Sequence, residues 1–276
     1  LTRMTKNGWT YQQALDEAQR LGFAEADPTM DVSGRDAAQK LALLSSLAFN
    51  ARVAERDILT EGIKDLQAAD FRFARDLGYV IKLLAIAERS KDGRLGLRVH
   101  PTLVHKDDVL AEVSGPFNAI SVYGSALGHA LFYGRGAGQM PTASAVVADL
   151  VQVAVGLVPL AFKALNIYPD SAEPAEMLPA DEVRSRYYLR LSVKDEPGVM
   201  GAVTQVLGAH GISLSAINQP ETADGADGAV PVVITTHRAR EGDVRKSLKA
   251  IDALATVAAP TVCLRIVDQP KEFAGA

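Results

Sequence analysis

Apolar positions in the first third of the chain recur with the period of a helix. In "TYQQALDEAQRLG", Ala14, Leu15, Ala18 and Leu21 share a face, Thr10 offers an N-cap and Gly22 a stop, which predicts an amphipathic helix over 10–22. The next stretch, "GFAEADPTMDVSGRDAAQK", begins as a loop, because Pro28 blocks continuation of a helix. From Arg35, "RDAAQKLALLSSLAFNAR" is rich in helix formers and apolar at almost every turn, so a long buried helix is expected there. "DFRFARDLGY" reads as a further helix, stopped by Gly78. The period then shortens to that of strands in "YVIKLLAIAE", "RLGLRVHPTLV", "FNAISVYG" and "SALGHALFYG". After the glycine-rich "GRGAG", the run "MPTASAVVADLVQVAVGLV" predicts one helix, with Pro141 and Thr142 suited to its first turn.

Residues 159–185 hold several prolines and no sustained period, the composition of a linker. Beyond it the order is strand "RYYLRLSVKD", helix "PGVMGAVTQVLGAHG", strands "ISLSAINQPE" and "AVPVVITTH", helix "REGDVRKSLKAIDAL" and strand "TVCLRIVD". This is a βαββαβ layout of the ferredoxin-like kind. The expected architecture is therefore α/β (α+β). A mixed sheet with flanking helices occupies 1–158, a linker 159–185, the βαββαβ unit 186–268, and a tail 269–276.

Composition narrows the partners more than the fold. With 276 residues, 48% hydrophobic and 22% charged, the chain can bury a sizeable core. Its net charge of −4 supplies no broad basic surface, which argues against nucleic acid or an anionic membrane as the main partner. Small acidic, neutral or zwitterionic ligands stay open. Cys263 is the single cysteine, so no internal disulfide can form, and no Cys/His cluster suggests a metal. No window approaches the roughly 18 apolar residues of a membrane helix, and "LTRMTKNGWT" lacks a signal-peptide core. A cytoplasmic location is expected. A first residue of Leu1 rather than Met suggests a piece of a longer protein.

Three stretches could carry chemistry. Glu25, Asp27, Asp31 and Asp36 crowd within a dozen positions and would repel unless solvated, hydrogen-bonded or facing a cation. They form either a plain solvated surface or a site for a positive group. Lys40 lies one helical turn after Asp36 on an otherwise apolar helix. The pair is either an exposed ion pair contributing about 0.2–0.5 kcal/mol or, if Lys40 is partly desolvated, a proton donor and acceptor. The loop Gly134, Gly136, Ala137 and Gly138 feeds a helix N-terminus, although the third glycine of the dinucleotide fingerprint would fall on Gln139. It is either a tight turn or a backbone rest for an anion or flat ring. In "KDEPGVMGAV" a strand passes into a helix through Pro197 and Gly198, either as an ordinary turn or as a seat for a carboxylate. His100, His105, His129, His210 and His237 show no metal spacing and receive no role.

"GFAEADPTMDVSGRDAAQKLALL", "GPFNAISVYG" and "GRGAGQMPTASAVVADL" together resemble the catalytic region of homoserine dehydrogenases, over roughly residues 1–158. The unit 186–268, with D-x-P-G-V at Asp195 to Val199, resembles an ACT domain, a small-molecule regulatory module. The resemblance implies a substrate-binding and dimerisation domain followed by a regulatory one. It also implies nicotinamide-dependent (NADP or NAD) interconversion of L-homoserine and L-aspartate 4-semialdehyde, in threonine and methionine biosynthesis. Carried over by motif, Lys40 handles the hydroxyl proton with Asp36 beside it, and Glu25 and Asp31 hold the substrate and its ammonium group. Gly134, Gly136, Ala137 and Gly138 lie against the cofactor. An amino-acid effector, threonine as the pathway end product, is expected at Asp195, Gly198, Val199, Met200 and Asn218, and a homo-oligomer, dimer or tetramer, is expected. Many members carry Tyr where this chain has Phe23. The family begins with a nucleotide-binding domain, so a chain opening at Leu1 is expected to lack most of the cofactor site and not to turn over alone. The alternative is a non-catalytic amino-acid sensor or assembly protein that retains the fold.

Overall fold

A computed structural model describes residues 1–24, 26–168, 172–220 and 228–268. The first helices are α1 (Thr2–Asn7), α2 (Tyr11–Arg20), α3 (Thr29–Val32), α4 (Arg35–Phe49) and α5 (Ala68–Asp76). The N-cap expected at Thr10 forms, as one half of a capping box: its hydroxyl accepts from the Gln13 N–H, and the Thr10 N–H donates to Gln13 Oε1. The strands of this half are β1 (Leu59–Thr60), β2 (Tyr79–Arg89) and β3 (Leu95–His105), followed by the hairpin β4 (Phe117–Gly124) and β5 (Gly128–Arg135).

The single helix expected over the run from Met140 is broken. It forms α6 (Gln139–Ala154) and α7 (Leu157–Leu165), bent by 76° at Gly156, whose φ of 70° is a left-handed conformation that costs glycine little. No described helix alone is long and apolar enough to cross a membrane; only this bent pair passes when taken together. Parts of the proline-rich stretch are held against the sheet, with Arg52 bridging Pro174 and Leu95 bridging Met177.

The remaining elements are β6 (Arg184–Lys194), α8 (Val199–Ala209), β7 (Leu214–Asn218), β8 (Ala229–Thr236), the short β9 (Ala239–Arg240), α9 (Glu241–Asp252) and β10 (Val257–Ile266). Their strand order β10-β6-β8-β7, all antiparallel, is the ferredoxin-like arrangement expected of βαββαβ.

The two halves share one sheet. β10 pairs parallel with β3 (Arg265↔Thr102, Ile266↔Leu103), and β1 pairs parallel with β3 just before it (Leu59↔Arg98, Thr60↔Val99). β1 and β10 therefore follow one another along one edge of β3, and β2 covers the other edge antiparallel. β3 is buried at every position but its last, as befits a strand covered on both faces.

Helices cover both faces. Ala38, Leu41 and Ala42 of α4 pack on Leu97 and Val99, and Phe71, Phe73 and Ala74 of α5 pack with Ile81, Leu103 and Tyr188. On the opposite face, Val203 and Leu207 of α8 and Val244 and Ile251 of α9 meet Tyr187, Leu189 and Leu191. Each fully buried Leu, Ile or Val contributes about 1.5–3 kcal/mol.

Candidate active site

The turn between α3 and α4 is set by backbone constraints. Gly34 is buried with φ 81°, and a Cβ there would meet Val99 Cγ1 at 3.2 Å and Glu61 O at 3.3 Å. Only glycine combines that conformation with that closeness. The turn starts α4 so that Asp36 stands in its first turn, where the helix dipole favours an anion, with Lys40 one turn later. Lys40 Nζ donates to Asp36 Oδ2 at 2.7 Å.

α4 is buried along one stripe only, which corrects the expectation of a buried helix. Leu43, Leu44 and Leu47 are exposed, and the Lys40 and Asp36 side chains are 65% and 41% exposed. The partial desolvation of Lys40 considered from the sequence is therefore not met within this chain. The physical reason is layering: α4 lies outside the sheet, so only the stripe of Ala38, Leu41, Ala42 and Ser45 faces inward. The helix is braced sideways by Glu55, which accepts from Arg35 Nε at 2.8 Å and Gln39 Nε2 at 2.9 Å. Those bonds hold the Glu55 carboxyl below its usual range.

The acidic stretch divides in the fold. Asp27 accepts from the Thr29 N–H (3.1 Å) and hydroxyl (2.6 Å), tying down the entry to α3, and these bonds lower its pKa. Asp31 is exposed in α3, so Asp31 and Asp36 flank the Val32–Gly34 turn. Glu25 lies outside the described residues. Phe23 is exposed nearby in sequence.

The glycine loop closes the β4–β5 hairpin onto α6. Gly136 N–H donates to Pro116 O, and a Cβ on Gly136 would run into the Asn118 amide. Gly138, with φ 127°, precedes α6, whose first N–H groups have no acceptor within the helix. Gly134, Gly136 and Gly138 are exposed and Ala137 is half-buried.

In the second half, Gly198 (φ 92°) opens α8. Val199 is buried, Met200 is half-buried, and Asp195 and Gly198 are exposed. Gln219 Nε2 donates to Asp195 Oδ1 at 3.4 Å, which brings the exposed Asn218 end of β7 beside the Asp195 turn. Gln219 was not singled out from the sequence. No local motif signals that Glu61 and Gly62 lie under the α3–α4 turn, or that Arg265 meets Glu61. Among the described residues, no group of three or more His, Cys, Asp or Glu could hold a metal ion.

Fold and site together define a mixed α/β protein in which an acidic turn with a helix-borne Asp–Lys pair is joined, through one sheet, to a ferredoxin-like βαββαβ unit. A homoserine dehydrogenase family model matches residues 1–151, more than half of the chain, and an ACT domain model matches residues 187–253. The chain belongs to the homoserine dehydrogenase family. It is 44% identical to a homoserine dehydrogenase of Pseudomonas aeruginosa over 96% of this chain and 62% of that protein. It is 43% identical to one of Synechocystis over 93% and 60%. Among solved structures, a homoserine dehydrogenase from Thiobacillus denitrificans matches at 41% identity with a TM-score of 0.86, covering 97% of this chain and 61% of that one. One from S. aureus matches at 32% identity and a TM-score of 0.69. The chain thus spans about three-fifths of the length of the curated relatives it matches.

Proposed function

We propose that this chain provides the substrate-binding and regulatory parts of a homoserine dehydrogenase, which interconverts L-homoserine and L-aspartate 4-semialdehyde with a nicotinamide cofactor, NADP or NAD. The observation that carries the reading is the Lys40–Asp36 pair, held at 2.7 Å on the mouth of an acidic turn. A general acid/base must reach the oxygen whose proton it moves, and an exposed ammonium on a four-carbon stem can do so. Asp36 orients that ammonium. Asp31 and Glu25 offer negative charge to the substrate's own ammonium, so a zwitterionic amino acid is fixed with its hydroxyl end toward Lys40.

Gly134, Gly136, Ala137 and Gly138 would hold the cofactor. Their nearly side-chain-free surface and the N–H groups that open α6 suit a flat ring or a phosphate. When bound, the cofactor accepts or returns the hydride. In the ACT unit, Asp195, Gly198, Val199, Met200 and Asn218 would take an amino acid, threonine by pathway logic, with the opening N–H groups of α8 meeting its carboxylate. Residues 1–158 then form the substrate domain, 159–185 the connection and 186–268 the regulatory domain. Self-association into a dimer or tetramer is supported by exposed apolar residues on β4, β5 and α6.

Calorimetric titration of L-homoserine into the full chain tests the site. Asp31→Asn is expected to weaken binding about tenfold, the loss of one charge-assisted contact of about 1.4 kcal/mol. Unchanged affinity would remove Asp31 from the site.

A further inference from the structure

Arg265, on β10, is 4% exposed and bridges two carboxylates from opposite halves of the chain. Its Nη1 and Nη2 donate to Glu61 Oε2 and Oε1 at 2.6 and 2.7 Å, a two-pronged pairing. Its Nε donates to Glu241 Oε2 at 3.0 Å, and Nη2 reaches Glu241 Oε1. Glu241 is the first residue of α9 and also accepts from the Tyr187 hydroxyl (2.8 Å) and Arg245 Nε (3.1 Å). The meeting follows from the sheet: β1 ends on β3 at Val99 and β10 joins the same edge at Thr102, so Glu61 and Arg265 lie end to end.

Glu61 packs directly against the substrate turn. Its N–H donates to Val99 O at 2.8 Å, and its own carbonyl lies against Gly34. Gly62 runs so close to Val32 that a Cβ would stand 2.5 Å from its carbonyl oxygen, and Ile63 N–H donates to that same oxygen at 2.9 Å. Residues 60–63 are thus the floor on which the turn between Asp31 and Asp36 rests. At the other end, α9 packs on α8, which opens at the Asp195–Met200 turn.

We propose that Glu61 and Arg265 are positioning residues that couple the ACT unit to the substrate turn: a ligand at Asp195–Met200 shifts α9, Glu241 changes its hold on Arg265, and Glu61 carries the change to Val32–Gly34. This rests on the regulatory reading of the ACT unit given above. A planar guanidinium shared between two carboxylates transmits displacement because moving one partner alters the geometry left for the other.

The test uses the full chain with L-threonine as the probe. Amide hydrogen exchange is read by mass spectrometry on peptides covering residues 29–36 and 195–200. In the parent, threonine slows exchange at 195–200 and changes it about fivefold or more at 29–36, the lower end of ordinary coupling between sites. Glu61→Gln keeps the side-chain shape without the charge; its response at 195–200 stays and its response at 29–36 disappears. Arg265→Lys gives the same loss, since a point charge cannot hold both carboxylates in a fork, and Glu61→Asp keeps part of the response. Thermal melts of all three confirm folding; Glu61 is partly exposed, so its substitutions leave the core intact. A parent response at 195–200 with none at 29–36, or a response at 29–36 that survives the first two substitutions, overturns the coupling and leaves the effector reading standing. No response at 195–200 in the parent removes the effector reading and the coupling with it.

Discussion

Asp70 of α5 has no exposed surface, and Arg190 of β6 closes on it with Nε at 2.6 Å and Nη2 at 3.2 Å. A buried carboxylate and guanidinium offset each other's desolvation only while both are present. Asp70→Ala is therefore expected to cost about 3–5 kcal/mol in urea unfolding, because it strands the cation; a loss under about 1 kcal/mol would mean the pair is far better hydrated than its burial indicates. His100 sets a second expectation. Burial first, then the nearby Arg265 and Arg98 charges, push its pKa down to about 3, so it stays neutral in the fold. The unfolded chain takes up a proton near pH 6.5 and the folded chain does not, so stability falls as pH drops from about 6.5 towards 3. The slope is up to about 1.4 kcal/mol per pH unit. His100→Gln should flatten unfolding free energy between about pH 6 and 5, above the range where Asp and Glu titrate. At Glu241, burial would raise the carboxyl, but the hydrogen bonds and charge of Arg265 outweigh it and hold the pKa low.

Among the elements, the α3–α4 turn is built on two glycines with different duties. Gly34 supplies a left-handed φ, whereas Gly62 is needed for space alone. Gly62→Ala must push residues 32–33 aside. We expect a destabilisation of about 1–3 kcal/mol, typical of overpacking, together with weaker L-homoserine binding by calorimetry. Stability lost without any change in binding would separate the floor from the site. α4 shows why an apolar helix need not be a buried one: its exposed Leu43, Leu44 and Leu47 sit beside Lys40 and leave the pair open to a large ligand or a neighbouring surface.

For the whole molecule, the joined sheet makes the ACT unit structurally continuous with the first half of the chain, through both the β3–β10 pairing and the Arg190–Asp70 and Arg265–Glu61 ion pairs. One face of the β4–β5 hairpin shows Ile120, Val122 and Phe132 to solvent, with Ile120 directly opposite Phe132. Apolar faces of this kind mark association surfaces. Sedimentation velocity is expected to find the chain self-associated, and Ile120→Lys with Phe132→Glu to shift it toward monomer; a monomeric parent at micromolar concentration would count against this face.

The sequence by itself determined the local elements, since period, caps and glycine stops act over a few residues. It also determined the chemistry on offer at Asp31, Asp36 and Lys40, because one helical turn separates the last two whatever surrounds them. It could not give the exposure of Lys40, which depends on which stripe of α4 meets the sheet, nor the break at Gly156, where glycine permits a turn without requiring one. Only the tertiary structure brought Arg265 to Glu61, 204 positions apart, because strand order along the edge of β3 is fixed by the packing of both halves and not by any local pattern.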